Sequence, residues 1–347
     1  MYIRQITVLR FIAAFSVVVF HFGLKVPLFD NGCLNALFSE GAIAVSFFFF
    51  LSGYVLSIST SSKAFLNAKE FYKKRIARIY PLYLIAFLMT LCLAMFYLEA
   101  FPKGNSIILQ VLALHAWIPG KCLEINFPSW SISVEFFFYA LFPLIWNLKR
   151  KIRNWFIPLV IIAWALSQWI YIELRWINAD FPGTFNGEFL LYSPIFHLTT
   201  FLMGMLSADF YLKRKVKFSN WLGSLMFFVS CTLLVLILST HNAIISYSHN
   251  GLLAPLFALL ILSLSLVENR LSRFMGNRFF NLLGNSSYAL YIFQWPLYLL
   301  FDQICNDYLS EEAFFVCYTL ILILSSIVLH HYIEIPLKRK LLKGSNF

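Results

Sequence analysis

The sequence predicts an all-α, polytopic integral membrane protein of about ten transmembrane helices plus a short re-entrant segment, with N- and C-termini cytoplasmic. Three observations carry that expectation: few charges, apolar runs close to the length of a bilayer span, and lysines and arginines gathered between them. Of the 347 residues, 60% are hydrophobic and 12% are charged, against about 25% charged in a soluble domain. Mean hydropathy is +0.76. A chain this size with so few charges has too little polar surface to remain in water. Phe alone occurs 39 times, so the spans are bulky and compatible with lipid.

Eleven apolar segments are legible: 5–24, 41–60, 79–98, 106–117, 130–147, 155–173, 189–212, 220–240, 250–267, 281–301 and 313–335. Basic clusters fall at 63–78, 149–153, 213–217, 270–278 and 338–343. Cytoplasmic loops of membrane proteins collect Lys and Arg. If all five clusters share that side, segment 106–117 does not cross. Its reach of about 18 Å, at about 1.5 Å per residue, falls short of a hydrocarbon core of roughly 30 Å. The ten remaining spans put 22 of the 27 Lys and Arg on the cytoplasmic side.

The net charge of +11 would suggest nucleic acid in a soluble protein. Here it is accounted for by the positive-inside bias, so no nucleic acid partner is expected. No small-x-small cleavage site follows the first span, so no cleaved signal peptide is expected. The cysteines at 33, 92, 122, 231, 305 and 317 form no C-x-x-C pair, which argues against zinc and redox motifs; no metal is expected. No repeat, linker or low-complexity stretch divides the chain. It reads as a single membrane domain over 1–347.

Ionisable residues inside spans are the functional candidates, because lipid penalises them unless they are used. Arg10 and His21 share the first span. Eleven residues at about 100° each return them to within roughly 20° of one another, about 16 Å apart along the axis. Both also fit a structural reading, each snorkelling to its nearer interface. Glu135 enters its span at the depth of His21, so the two are expected to face one another, the carboxylate holding the imidazole as a general base requires. A helix–helix hydrogen bond is the structural alternative. Tyr139 lies one turn further along the Glu135 face. Gln294 shares a face with Tyr288, Tyr291 and Trp295, and reads equally as an oxyanion donor or as a polar helix link. Arg75 and Arg78, at i and i+3, point to one side and suit a phosphate clamp; alone they are also ordinary cytoplasmic charges. His115, His197, His241, His249, His330 and His331 have no partner at diagnostic spacing and read as structural.

The same residues carry a family resemblance. RFIAAFSVVVFH (10–21) resembles an R-x10-H opening. GAIAVSFFFFLSGY (41–54) resembles G-x-x-x-V-x-x-F-F-x-x-S-G-F/Y. KKRIARIYPLY (73–83) resembles R-x-x-R-I-x-P-x-Y. PSWSISVEFFFYALFP (128–143) resembles W-S-L-S-x-E-x-x-F-Y-x-x-x-P. LGNSSYALYIFQWPL (283–297) resembles G-x-x-S-Y-x-L-Y-L-x-H-x-P. IEIP (333–336) with its basic tail resembles E-x-P-x-R. Six motifs in order along the whole chain are similar to the acyltransferase-3 superfamily, integral membrane acyltransferases that modify bacterial surface glycans. Two positions depart: Ser46 stands where many relatives have Asp, and Gln294 where many have His.

The resemblance implies a bacterial inner-membrane O-acyltransferase of stand-alone type, without an added esterase-like domain. Its donor would be an acyl-CoA, in the first instance acetyl-CoA, and its acceptor a sugar hydroxyl of a polysaccharide, O-antigen, capsule or oligosaccharide. It implies His21 as catalytic histidine, either general base or acyl carrier, with Glu135 as a site residue. Arg10, Arg75 and Arg78 would engage the acyl-CoA, with Ser52, Trp130, Ser131, Tyr139, Tyr288 and Gln294 in support. The rival reading is a multi-span glycan transporter or flippase, with Arg10, His21 and Glu135 along its path. No inverted repeat or paired broken helices support that rival.

Overall fold

The computed structural model describes residues 3–30, 32–63, 65–97, 102–177, 184–213, 219–240 and 248–343. Among the described residues the chain is helical, with no strand. The helices are α1 (Thr7–Phe22), α2 (Gly32–Ser39), α3 (Ile43–Thr60), α4 (Ala68–Tyr97), α5 (Gly104–Val111), α6 (Trp130–Lys151), α7 (Phe156–Ile177), α8 (Phe185–Tyr192), α9 (Pro194–Lys213), α10 (Asn220–Ser239), α11 (Ala254–Ser265), α12 (Arg270–Met275), α13 (Arg278–Cys305), α14 (Glu311–Leu329) and α15 (Ile335–Leu342). Short side chains start several of them. Ser219, Asn277 and Ser310 accept from the backbone N–H groups of Leu222, Phe280 and Ala313, satisfying donors that a helix start leaves unpaired.

Eight helical stretches are long and apolar enough to cross a bilayer, and they coincide with eight of the ten expected spans. The other two differ in kind. α13 has 28 residues, ample length, but its Asn, Ser and Gln side chains make it too polar for that set. α11 has only 12 residues, about 18 Å at the helical rise. The expected span 250–267 therefore includes non-helical residues on both sides of it. The chain reaches α11 through a turn in which Gly251 has φ +91°, and a Cβ there would lie 1.8 Å from Thr200 Oγ1. The expected span 189–212 is broken, because Pro194 disfavours helix at the residue before it, and Ser193 is extended at ψ 130°. Segment 106–117 folds as α5 and a 3₁₀ turn, His115–Trp117. The basic cluster at 213–217 lies, beyond Lys213, outside the described residues, as does His241.

α3 and α9 form the centre, and 72% of the apolar stretch of α3 is buried, against 17% for α7 and for α10 at the rim. Small residues allow the central pair to touch backbone to backbone. A Cβ on Gly53 would stand 2.0 Å from Phe201 O, and one on Gly204 1.9 Å from Phe50 O. α1 packs between α3 and α13, while α4 lies against α6, α13 and α15. Pro296 cannot donate to the carbonyl of Ile292; Asn126 Nδ2 takes that acceptor at 3.1 Å. This side-chain substitute, of the kind membrane helices need, ties the segment before α6 to the middle of α13.

Candidate active site

Five helices converge on a cavity of about 110 Å³. Arg10 of α1, Ser52 of α3, and Arg75 and Arg78 of α4 line it. Ser131, Glu135 and Tyr139 of α6 and Tyr288 and Tyr291 of α13 complete the expected residues on its wall. Glu135 Oε1 accepts from Ser52 Oγ at 3.1 Å and from the Tyr139 hydroxyl. Arg75 interacts electrostatically with Tyr139, Arg78 and Glu135, and its guanidinium lies 5.5 Å from the Phe71 ring centroid. Arg75 Nε is buried without a hydrogen-bond partner. Such a donor costs about 1–3 kcal/mol when left unmet, so it is poised for an incoming acceptor. Three guanidinium groups face one carboxylate, which leaves the cavity suited to an anion.

His21 stands elsewhere. It occupies the far end of α1 from Arg10, exposed, and does not line this cavity. Phe20, Phe22 and Phe127 ring it, with centroids at 4.9, 5.9 and 4.6 Å. The expected His21–Glu135 pair is not formed. His21 Nδ1 lies 3.1 Å from Gln294 Oε1, and the hydrogen bonds of Glu135 go to Ser52 and Tyr139. The physical reason is helix packing: α1 lies along α13, so the imidazole meets α13 before it can meet α6.

Gln294 is fully buried, and its orientation is fixed from behind. Its Nε2 donates to Tyr291 O at 2.8 Å. Reversing the amide would set oxygen against that carbonyl, so Oε1 faces His21. An amide oxygen only accepts, so Nδ1 of His21 carries the proton and the neutral ring keeps its lone pair on Nε2. Tyr318 donates its hydroxyl to Gln294 O at 2.8 Å, which braces the same turn. Tyr291, whose carbonyl holds Gln294, also lines the cavity and donates to Pro128 O at 3.0 Å. Ser131 Oγ donates to Tyr291 OH at 2.9 Å, and Tyr288 OH to Ile79 O at 2.8 Å. A bonded path thus runs from the cavity wall to His21.

Trp130 does not line the cavity. It packs behind Phe49 among Tyr192, His197 and His249, with centroids at 5.9, 5.0, 5.5 and 5.7 Å. Ser46 donates to His249 O, so the position where many relatives have Asp belongs to this same packed cluster. Four of the histidines read as structural do have partners: His115 Nε2 lies 3.2 Å from Ser129 Oγ, His197 Nε2 2.8 Å from Leu191 O, His249 Nδ1 3.1 Å from Asn250 Oδ1, and His330 Nδ1 2.8 Å from Glu334 Oε2. The His330–Glu334 pair spans a π-helical turn.

A family profile described as an acyltransferase domain matches residues 3–331. The chain belongs to the acyltransferase-3 family. Acyltransferase MdmB of Streptomyces mycarofaciens is 30% identical over 59% of this chain and 56% of its own length. O-acetyltransferase OatA of Staphylococcus aureus is 23% identical over 100% of this chain and 59% of its own length. The chain spans less than two thirds of each of these relatives. No solved structure matches it. The chain thus carries an acyltransferase domain of this family built on several helices long and apolar enough to cross a membrane. Its cavity also has a neighbour that the sequence reading did not single out: Lys338 of α15 interacts electrostatically with Arg78, Glu334 and Arg75. The signal was present, since Glu334, Pro336 and Lys338 occupy the E-x-P-x-R pattern with Lys in place of Arg.

Proposed function

We propose that this acyltransferase moves an acetyl or other acyl group from acyl-CoA to a sugar hydroxyl of a surface polysaccharide, O-antigen, capsule or oligosaccharide, at the inner membrane of a bacterium. Both termini and the basic clusters face the cytoplasm in this reading. The observation that carries it is the three-arginine cavity joined through Tyr291 and Gln294 to an imidazole with a free Nε2. Arg75, Arg78 and Arg10 hold the phosphates and the inner part of the donor, where charge-assisted bonds to phosphate are strong. The pantetheine arm follows α1 toward His21, over about 16 Å of helix rise.

His21 Nε2 takes the proton of the sugar hydroxyl as its oxygen attacks the thioester carbonyl carbon. The carbon–sulfur bond breaks, and the CoA thiolate leaves with the proton returned by the imidazolium. Gln294 holds the ring in the tautomer this step needs. Glu135, bonded to Ser52 and Tyr139, balances the arginines and does not orient the histidine. Because acyl-CoA is cytoplasmic and surface glycans are displayed outside, separating donor seat and base along one helix lets the two substrates arrive from opposite faces.

Purified protein with acetyl-CoA and an oligosaccharide acceptor is expected to release CoA and give an acceptor heavier by one acetyl group in mass spectrometry. Glycans from cells with and without the protein are expected to differ by the same mass. No CoA release with any glycan, together with glycan movement across sealed vesicles, would instead establish a transporter.

A further inference from the structure

The end of α6, the start of α7 and the end of α9 enclose a second cavity, of about 430 Å³. Lys149, Arg150, Arg153 and Lys213 stand on its walls with a single carboxylate, Asp209, and Phe156, Ile157 and Leu212 give it an apolar side. The site is pre-arranged. Lys149 donates to Asp209, and its ammonium lies 4.7 Å from the Trp146 ring centroid and 5.3 Å from that of Phe156. Asp209 is therefore already neutralised, and α6 is pinned to α9 at this point.

Arg150, Arg153 and Lys213 form no ion pair among the described residues. The basic cluster at 63–78 behaves differently, since Lys63 and Lys74 both discharge onto Glu70 at 3.3 and 2.6 Å. Here three cations are left over beside an apolar wall. A soluble phosphate has no use for that wall, whereas a phospholipid brings phosphate and hydrocarbon together. Exposed Trp155 (69%), just before α7, and Phe210 (56%), on α9, flank the site, and tryptophan favours the headgroup level.

We propose that this cavity binds the headgroup of an anionic phospholipid. Arg150, Arg153 and Lys213 engage the phosphate, and the acyl chains lie along Phe156, Ile157 and Leu212. Basic pockets between transmembrane helices bind such headgroups through this combination. The lipid would brace α6, which carries Glu135, and α9, which carries Gly204 against α3.

The test is native mass spectrometry of the full chain released from bilayers that mix phosphatidylglycerol with phosphatidylcholine. Phosphatidylglycerol is expected to be retained in preference. Substituting Arg150→Gln, Arg153→Gln and Lys213→Gln together should lower that preference by roughly fivefold per charge removed. All three side chains are exposed, and the one ring contact among them is that of the Arg150 guanidinium, 5.2 Å from the Phe65 centroid, which the lysine variant also removes. Arg150→Lys with Arg153→Lys, which keeps the charge, should retain most of the preference. Millimolar glycerol phosphate or inorganic phosphate should not displace the lipid. Equal retention of both lipids, an unchanged preference in the triple glutamine variant, or displacement by free phosphate would each overturn the proposal.

Discussion

At the arginine cavity, three of the five helices contribute charge, and the charged groups answer to several neighbours: Glu135 to Ser52 and Tyr139, Arg75 to Tyr139, Arg78 and Glu135. His21 forms no ion pair among the described residues. One amide, Gln294, meets the ring, and aromatic side chains surround it. The cavity is built to hold an anion whatever its shape, because a net positive field falls off gradually. The His21 end is built to hold one proton in one place, because a single directed hydrogen bond fixes the tautomer. In the proposed mechanism, strength of binding and exactness of chemistry therefore fall at opposite ends of α1.

The contrast can be broken most sharply at His21. His21→Gln keeps a polar side chain but has no nitrogen that takes and releases a proton near neutrality. Transfer should fall by roughly 10²–10⁴, read as acetylated glycan at matched membrane protein levels. Near wild-type acylation would make His21 a packing residue. Next comes Gln294→Leu, which removes the acceptor of Nδ1–H and frees the ring to turn. A fall of about 10² in kcat with KM for acyl-CoA unchanged is expected, as for misplacement of a catalytic group. A change confined to KM would move Gln294 into donor binding.

At the other end, Arg75→Ala combined with Arg78→Ala should raise KM for acyl-CoA by about tenfold or more, since each charge-assisted bond is worth about 1.5–3 kcal/mol, while kcat changes less. An unchanged KM would return both to the role of cytoplasmic-side charges. The smallest effect belongs to Glu135→Gln. The amide oxygen still accepts from Ser52 and Tyr139, so activity should stay within about tenfold of wild type. The shape of its pH–rate profile should also be retained. A shifted profile would show that the carboxylate acts on His21 after all.

The fold was largely legible because lipid imposes length and composition on each span, and Arg10 and His21 were found because the helical period alone puts them on one face. Partners across helices were less legible. Depth along the membrane made Glu135 a suitable mate for His21, but depth says nothing of how a helix is rotated or which neighbour it packs on, and α1 packs on α13. Gln294 was noted as a departure from His. Its role in fixing a tautomer needed the Tyr291 carbonyl behind it, a contact no spacing rule contains. The helix α11 is shorter than the expected span 250–267, because the turn at Gly251 delays its start. The break before Pro194 had a plain signal in the proline itself, hidden by a hydrophobic run that continued across it.

The close approach of Gly53 and Gly204 has a consequence for how the enzyme is made. Ser52, which bonds Glu135, sits beside one of these glycines, so its position depends on a helix about 150 residues further along the chain. During synthesis α3, α4 and α6 emerge and enter the bilayer while α9 is still untranslated. Contacts between distant segments can form only after the later one arrives. The carboxylate, its serine and the arginines beside them are therefore assembled late, and a nascent chain halted before α9 carries the charged residues of the cavity without the clasp that sets them.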